Sequence, residues 1–291
     1  MEEKIAVTLQ NKNDMPAFIN AGAVILIAAV EKFSSSALAK VKQEEIPELK
    51  ESAEALGAEL HLLVNRLFHE TEVDELCLLL KKMDAIGIRT VWFADPAVLD
   101  IKEKEHLSFA CIYMPDTLLT SRQDMEVWHA MGAAYGVISP LLSRTEEKEI
   151  TCSPYAVVPV HGHMVMSRSY RHLLSGWQRA AGIDARLSEN THLTIREKKR
   201  EDQMPIYEDE TGTLIYTDYV LCSFHDFSSF RRDGGIYLID SVFMDRLACF
   251  EAVHSYRRII EGENAQDVEK KYREKFPGEK LSEGYYGENV Q

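Results

Sequence analysis

Hydrophobic residues in this chain fall into two alternating textures. Short continuous runs, rich in β-branched residues, occupy 4–9 (KIAVTL), 24–30 (VILIAAV), 60–64 (LHLLV), 90–94 (TVWFA), 107–113 (LSFACIY), 135–139 (YGVIS), 155–161 (YAVVPVH) and 235–240 (GIYLID). Runs of this length suit strands of a parallel sheet buried on both faces. Between them apolar residues recur every three or four positions, as helices require. Residues 43–57 end on Gly57, residues 121–132 on Gly132, and in 72–87 Val73, Leu76, Leu79, Leu80 and Met83 precede Gly87. Glycine just past a helix is a natural stop. An amphipathic helix over about 243–261 follows the last strand, and the final 30 residues predict one charged helix and a tail.

Strand, helix, strand, helix implies right-handed βαβ units. Eight strands predict an α/β fold of the (β/α)8 barrel type, with an open doubly wound sheet as the alternative. No GxGxxG follows a strand, so a dinucleotide site has no motif. The seventh and eighth strands lie far apart in sequence. The predicted organisation is one continuous domain: residues 1–163 carry barrel strands one to seven, 164–234 an insertion, and 235–291 the last strand, C-terminal helices and tail. Within the insertion, the acidic stretch 207–213 (YEDETGT) reads as a hairpin connection.

The chain has 291 residues, with 33 Lys and Arg against 47 Asp and Glu, a net charge of −14. Such a balance opposes wholesale coating of nucleic acid. Against that background stands 164–200, where eight basic residues (Arg168, Arg171, Arg179, Arg186, Arg196, Lys198, Lys199 and Arg200) face three acidic ones. A solvated basic loop is the plain reading; an anion or RNA-backbone contact is the functional one. No run approaches the length of a membrane span, and the acidic start lacks a signal-peptide pattern. The expectation is a cytoplasmic protein. Five widely spaced cysteines (Cys77, Cys111, Cys152, Cys222 and Cys249) fit a reduced compartment and make no CxxC pair.

Candidate chemistry gathers at predicted strand ends, where a parallel barrel carries its site. His161 and His163 close the seventh strand. With His172 they suggest a metal set only if a carboxylate stands at a helpful spacing, and none does, so no metal is expected. Asn65 and Asp95 follow the third and fourth strands, and Asp95-Pro96 equally reads as a helix start. Asp240 ends the eighth strand, as a polar group in the mouth or as the cap of the final helix. Ser34, Ser35 and Ser36 read as a plain turn after the second strand, with anion binding as the alternative. No serine-hydrolase elbow is present. Cys152 precedes its strand, at the bottom face, which argues against a nucleophile.

Residues 150–177 (ITCSPYAVVPVHGHMVMSRSYRHLLSGW) resemble the signature region of the collagenase-like peptidases, peptidase family U32. That signature reads Val-His-Gly-Ala-Leu-Cys, a spacer, Ser-Gly-x-Cys, then Leu-Leu-Ser. Residues 17–30, 60–76, 84–99 and 235–243 are similar to further family segments, in the same order. Residues 195–222 (IREKKREDQMPIYEDETGTLIYTDYVLC) look like the shorter, Gram-positive-type member that acts with a longer one. The resemblance implies a peptidase by family name. For that subgroup it implies prephenate-dependent hydroxylation of a tRNA wobble uridine to 5-hydroxyuridine. Several members hold a four-iron four-sulfur cluster on cysteines.

The departures carry weight. The signature cysteines fall at Val165 and His172, and the signature glycine at Tyr170. No cysteine pair lies between Trp177 and Leu221. Pro140-Leu141 replaces an Arg-Glu pair, and Ser35 or Ser36 stands where an arginine is usual. No cofactor is therefore expected in this chain; cluster and prephenate are implied only for the longer paralogue as partner. The resulting expectation is a degenerate or accessory subunit, contacting tRNA or its partner through 164–200. A peptidase, or a barrel enzyme for a small anionic metabolite using His161, His172 and the arginines, are the alternatives.

Overall fold

A computed structural model describes residues 2–116, 118–199 and 202–285. In chain order the strands are β1 (Lys4–Thr8), β2 (Ile25–Ala29), β3 (Glu59–Val64), β4 (Thr90–Phe93), β5 (Ala110–Tyr113), β6 (Tyr135–Val137), β7 (Ala156–Ser169), β8 (Thr194–Ile195), β9 (Met204–Asp209), β10 (Gly212–Cys222), β11 (Ile236–Ile239) and β12 (Leu281–Ser282). The helices are α1 (Met15–Ala21), α2 (Ile46–Ala55), α3 (Val73–Ala85), α4 (Ala97–Lys104), α5 (Arg122–Ala130), α6 (Arg144–Thr151), α7 (Leu173–Ala181), α8 (Arg246–Ile260) and α9 (Ala265–Lys275). Strands β1 to β7 pair in parallel, one beside the next, and β11 pairs with both β1 and β7. The ring is a closed (β/α)8 barrel, as the alternation of textures predicts.

Side chains alternate along each barrel strand. Ala6, Ile25, Ile27, Ala29, Leu63, Trp92, Ile112, Val137, Val157 and Leu238 fill the interior. Their neighbours Val7, Leu26, Leu62, Val91, Phe93, Cys111, Val158 and Ile239 join the layer beneath the helices. Both faces are apolar, which is why each strand reads as an unbroken run. A polar chain enters the interior from below: Trp92 Nε1 donates to His61 Nδ1 at 3.0 Å, and His61 Nε2 meets Glu59 at 3.3 Å. Helices α2, α3, α5, α8 and α9 lie where periodicity places them. The shorter α1, α4 and α6 carry too few turns for the period to show, and α7 lies in the insertion, where the sequence pattern predicts no helix.

Strand β7 departs furthest from expectation, ending at Ser169 rather than at residue 161. Its pairing with β11 shifts register between Leu238 and Ile239, opposite Pro159 and His161. The extra residue is a bulge, which bends a strand and re-aims the side chains beyond it. Gly162 comes next, at φ +132°, and a Cβ there would come within 2.3 Å of the Asp240 carbonyl oxygen. Past this point β7 leaves the barrel and pairs antiparallel with β10, from His161–Cys222 to Ser169–Thr213. Strand β10 pairs with β9 through a tight turn closing at Asp209–Gly212, and β9 with β8. The acidic hairpin is thus present. Strand β7 crosses residue 163 unbroken, so barrel and insertion share one strand.

Candidate functional site

The extension of β7 lays Arg168 across the mouth of the barrel. Its Nη1 donates to Ser35 Oγ at 2.8 Å, and its Nη2 to Ser36 Oγ at 2.6 Å and Asp116 Oδ2 at 2.6 Å. Ser35 and Ser36 follow β2, and Asp116 follows β5, so one guanidinium ties three parts of the mouth. Burial works hardest against its charge, but Asp116, together with Tyr216 and Tyr170, more than offsets it and the guanidinium stays protonated. Asp116 holds the left-handed region at φ +57°, which a short polar side chain tolerates. Asn65, after β3, is 4% exposed and accepts from the Ser35 N–H at 2.9 Å.

Asp240 lies deeper, at the end of β11. It keeps some exposed surface, yet its carboxyl group sits within the protein. Thr8 Oγ1 donates to it at 2.9 Å and the Val242 N–H at 3.2 Å. Burial pushes the carboxyl up to about 6; those hydrogen bonds pull against it, and Asp116 adds to the rise. The buried Tyr216 phenol, on β10, is pushed well above its usual range by burial, then by Asp240 and Asp116. The mouth is therefore a polar cluster of fixed geometry: one arginine, two carboxylates, a phenol, two serines and an amide.

Above it opens a cavity of about 360 Å3. Asn65, Asp116, Arg168 and Thr217 line its polar side; Tyr113, Met164, Met166, Tyr170 and Tyr285 are among its apolar walls. Its size is that of a small-ligand pocket. A second cavity of about 60 Å3 adjoins it and reaches His161, His163 and Asp240.

The residues singled out from sequence scatter. His161 is 2% exposed and packs among Phe224, Tyr256 and Tyr272, with ring centroids 5.4–5.8 Å away. Burial holds its pKa down at about 3, and His163 adds to the fall. It is a neutral core residue, not a base poised near neutrality. His163 turns its Nδ1 to the Thr217 carbonyl at 2.8 Å. His172 is exposed at the start of α7, 3.9 Å from Glu208, on the insertion. The three histidines form no set. Asp95 accepts from the Phe68 and Ala97 N–H groups, the helix-start role rather than a pocket role. Asp240 belongs to the mouth, and Asp245 caps α8 instead. Asn65 lines the cavity. Sequence reading missed Asp116, Tyr216 and Tyr170. Asp116 alone had a signal, an aspartate just past a strand end, masked by the turn-like Pro115-Asp116.

The basic segment is also divided. Arg168 is internal. Arg186 pairs with Glu189, and Arg179 lines a depression with Glu208, Asp209 and Glu210. Arg171, Arg196, Lys198 and Lys199 are exposed; Arg200 lies outside the described residues. Leu38 and its neighbours bring Lys40 to Asp209 and Glu210, so those acids are themselves paired.

A cysteine-held cluster does not fit these residues. Val165 and His172 occupy the signature positions. Cys222, opposite His161, is buried and its thiol is pushed up to about 12, so it stays protonated. Among the described residues no three His, Cys, Asp or Glu side chains converge as a metal site. No helix among them is long and apolar enough to cross a membrane.

Comparison with known proteins places these features. Residues 10–291 match the model of Peptidase family U32. The tRNA hydroxylation protein P2 of Bacillus subtilis (strain 168) is 26% identical over 277 residues, covering 92% of this chain and 89% of that protein. Among solved structures, the U32 peptidase Mk0906 has a TM-score of 0.52 at 13% identity, covering 82% of this chain and 92% of that chain. That structural likeness speaks to the fold.

Proposed function

The chain belongs to peptidase family U32, and from that premise we propose that it serves in tRNA hydroxylation as an accessory subunit. A longer paralogue of the family supplies the reaction, with its cluster and prephenate, and converts the wobble uridine to 5-hydroxyuridine. The full-length likeness to the Bacillus subtilis tRNA hydroxylation protein carries this reading. Two features support the accessory role. Thiolates are missing at positions 165 and 172, and His161, at the end of the seventh barrel strand, is a neutral core residue. Peptide hydrolysis finds less support, since His161, His163 and His172 each face a different environment and none meets a nucleophile.

The test is nucleoside mass spectrometry of total tRNA from a strain deleted for this gene. We expect loss of 5-hydroxyuridine and its derivatives, restored by the wild-type gene. Unchanged levels would remove the tRNA role. Purification with the tagged paralogue should recover this chain, with iron tracking the paralogue alone. In the proposed complex the exposed Arg171, Arg196, Lys198 and Lys199 meet RNA phosphates. Reversing the last three should flatten the salt dependence of tRNA binding by about one log–log unit for each phosphate left without its cation.

A further inference from the structure

We propose that the 360 Å3 cavity at the barrel mouth binds an uncharged planar ring with adjacent acceptor and donor groups, of the nucleobase type, rather than a small anion. The size is given by the cavity; the charge is decided by the Arg168–Asp116 pair. Two of the guanidinium nitrogens are spent on Ser35, Ser36 and Asp116, and its positive charge is matched by a carboxylate in contact. A phosphate or dicarboxylate entering here meets Asp116 beside the arginine and Asp240 beneath. The field that draws anions to a bare arginine is absent.

What the mouth does offer is hydrogen-bonding capacity without a net positive charge. Asn65 Oδ1 is held by the Ser35 N–H, which fixes the amide plane, while its Nδ2 has no partner among the described residues. Asn65 is 4% exposed and lines the cavity, so its donor has a single outlet. Arg168 Nε–H and Asp116 Oδ1 are likewise without partners among the described residues. Two donors and one acceptor complement the carbonyl and N–H edge of a heterocycle. The walls suit its faces. Tyr113 is clamped by stacking on Trp128 at 3.6 Å, and Tyr170 stands at the rim 63% exposed. An exposed aromatic ring such as Tyr170 beside an apolar cavity is a platform for base stacking. Leu67, Leu118 and Met166 complete a rim too apolar for a site that holds only ions.

The class of ligand follows from the mouth; its source, an unstacked base of an RNA loop, rests on the tRNA reading. Binding is tested on the full chain by calorimetry with uridine, cytidine and adenosine, and with succinate and inorganic phosphate. We expect at least one nucleoside to bind at millimolar or better affinity, and neither anion to compete. Asn65→Asp keeps the acceptor for Ser35 N–H and removes the donor; it should weaken the nucleoside about tenfold. Tyr170→Ala should weaken it by a similar factor through lost stacking. Succinate or phosphate binding in place of nucleosides would overturn the proposal, as would the absence of any nucleoside binding. In the deletion strain, full restoration of 5-hydroxyuridine by the Asn65→Asp, Tyr170→Ala chain would overturn the pocket's use and leave the tRNA role standing. Loss of restoration, with the variant folded and abundant, supports both.

Discussion

One strand, β7, runs through two environments that treat polar side chains in opposite ways. At His161 it is walled by Phe224, Tyr256 and Tyr272, and the ring loses its charge to burial. At Arg168 it is surrounded by Ser35, Ser36 and Asp116, and the charge is kept. The bulge near residue 160 and Gly162 separate the two. A family signature such as Val-His-Gly therefore does not mark chemistry by itself. Here it marks the place where the strand leaves the core, and the polar cluster sits further along the same strand.

The largest effect should come from the apolar floor. Phe224→Ala removes a ring in contact with His161, Tyr256 and Tyr272. It should cost about 3–5 kcal/mol, read as a lower urea midpoint at constant slope. Nucleoside binding at the mouth should survive in the folded fraction; if it vanished, the two regions would not be separable.

Arg168→Met is next. It leaves Asp116 without its cation and Ser35 and Ser36 without a donor. The half-buried position tempers the cost to about 2 kcal/mol. Adding Asp116→Asn should return part of that loss in a double-mutant cycle. Strict additivity would show that the pair contributes no coupling across the mouth.

Opposite pH slopes sharpen the comparison further. Asp240 has a folded pKa raised to about 6 from 3.8, so the native state holds its proton more tightly. Its contribution is full below about pH 4 and is lost as pH rises through 6. Relative to wild type, Asp240→Asn should gain about 2–3 kcal/mol between pH 4 and 7. His161 runs the other way. Its pKa is lowered, so its contribution is present above about pH 6.5 and fades as pH falls toward 3. A ring that titrates near 6.5 by NMR would contradict the floor described above.

The smallest effect belongs to the exposed insertion. Arg186 and Glu189 pair at 2.9 Å with both side chains mostly in solvent. Arg186→Ala should change the melting temperature by little, a cost under about 0.5 kcal/mol.

The same insertion shows how far sequence reading reached. Counting charges along 164–200 gives a basic segment, because the count sees only neighbours in sequence. Folding sends Arg168 inward to Asp116, and brings Glu208, Asp209 and Glu210 beside Arg179. Asn65 and Asp240 were legible as strand-end residues. Tyr216 and Tyr170 were not, since nothing in a run of alternating residues says which strand bends over a mouth.

The barrel itself was written in the sequence. Both faces of its strands are apolar, so each appears as a continuous run, and the glycines after α2, α3 and α5 mark the helix ends. Short-range pattern suffices where burial repeats with the period of one element. The site is a matter of tertiary structure. Thr8, Ser35, Asn65, Asp116, Arg168 and Asp240 come from six separate stretches of chain. Only closure of the ring and the turn of β7 over its mouth bring them within hydrogen-bonding range, and only that enclosure sets which of them keep a charge.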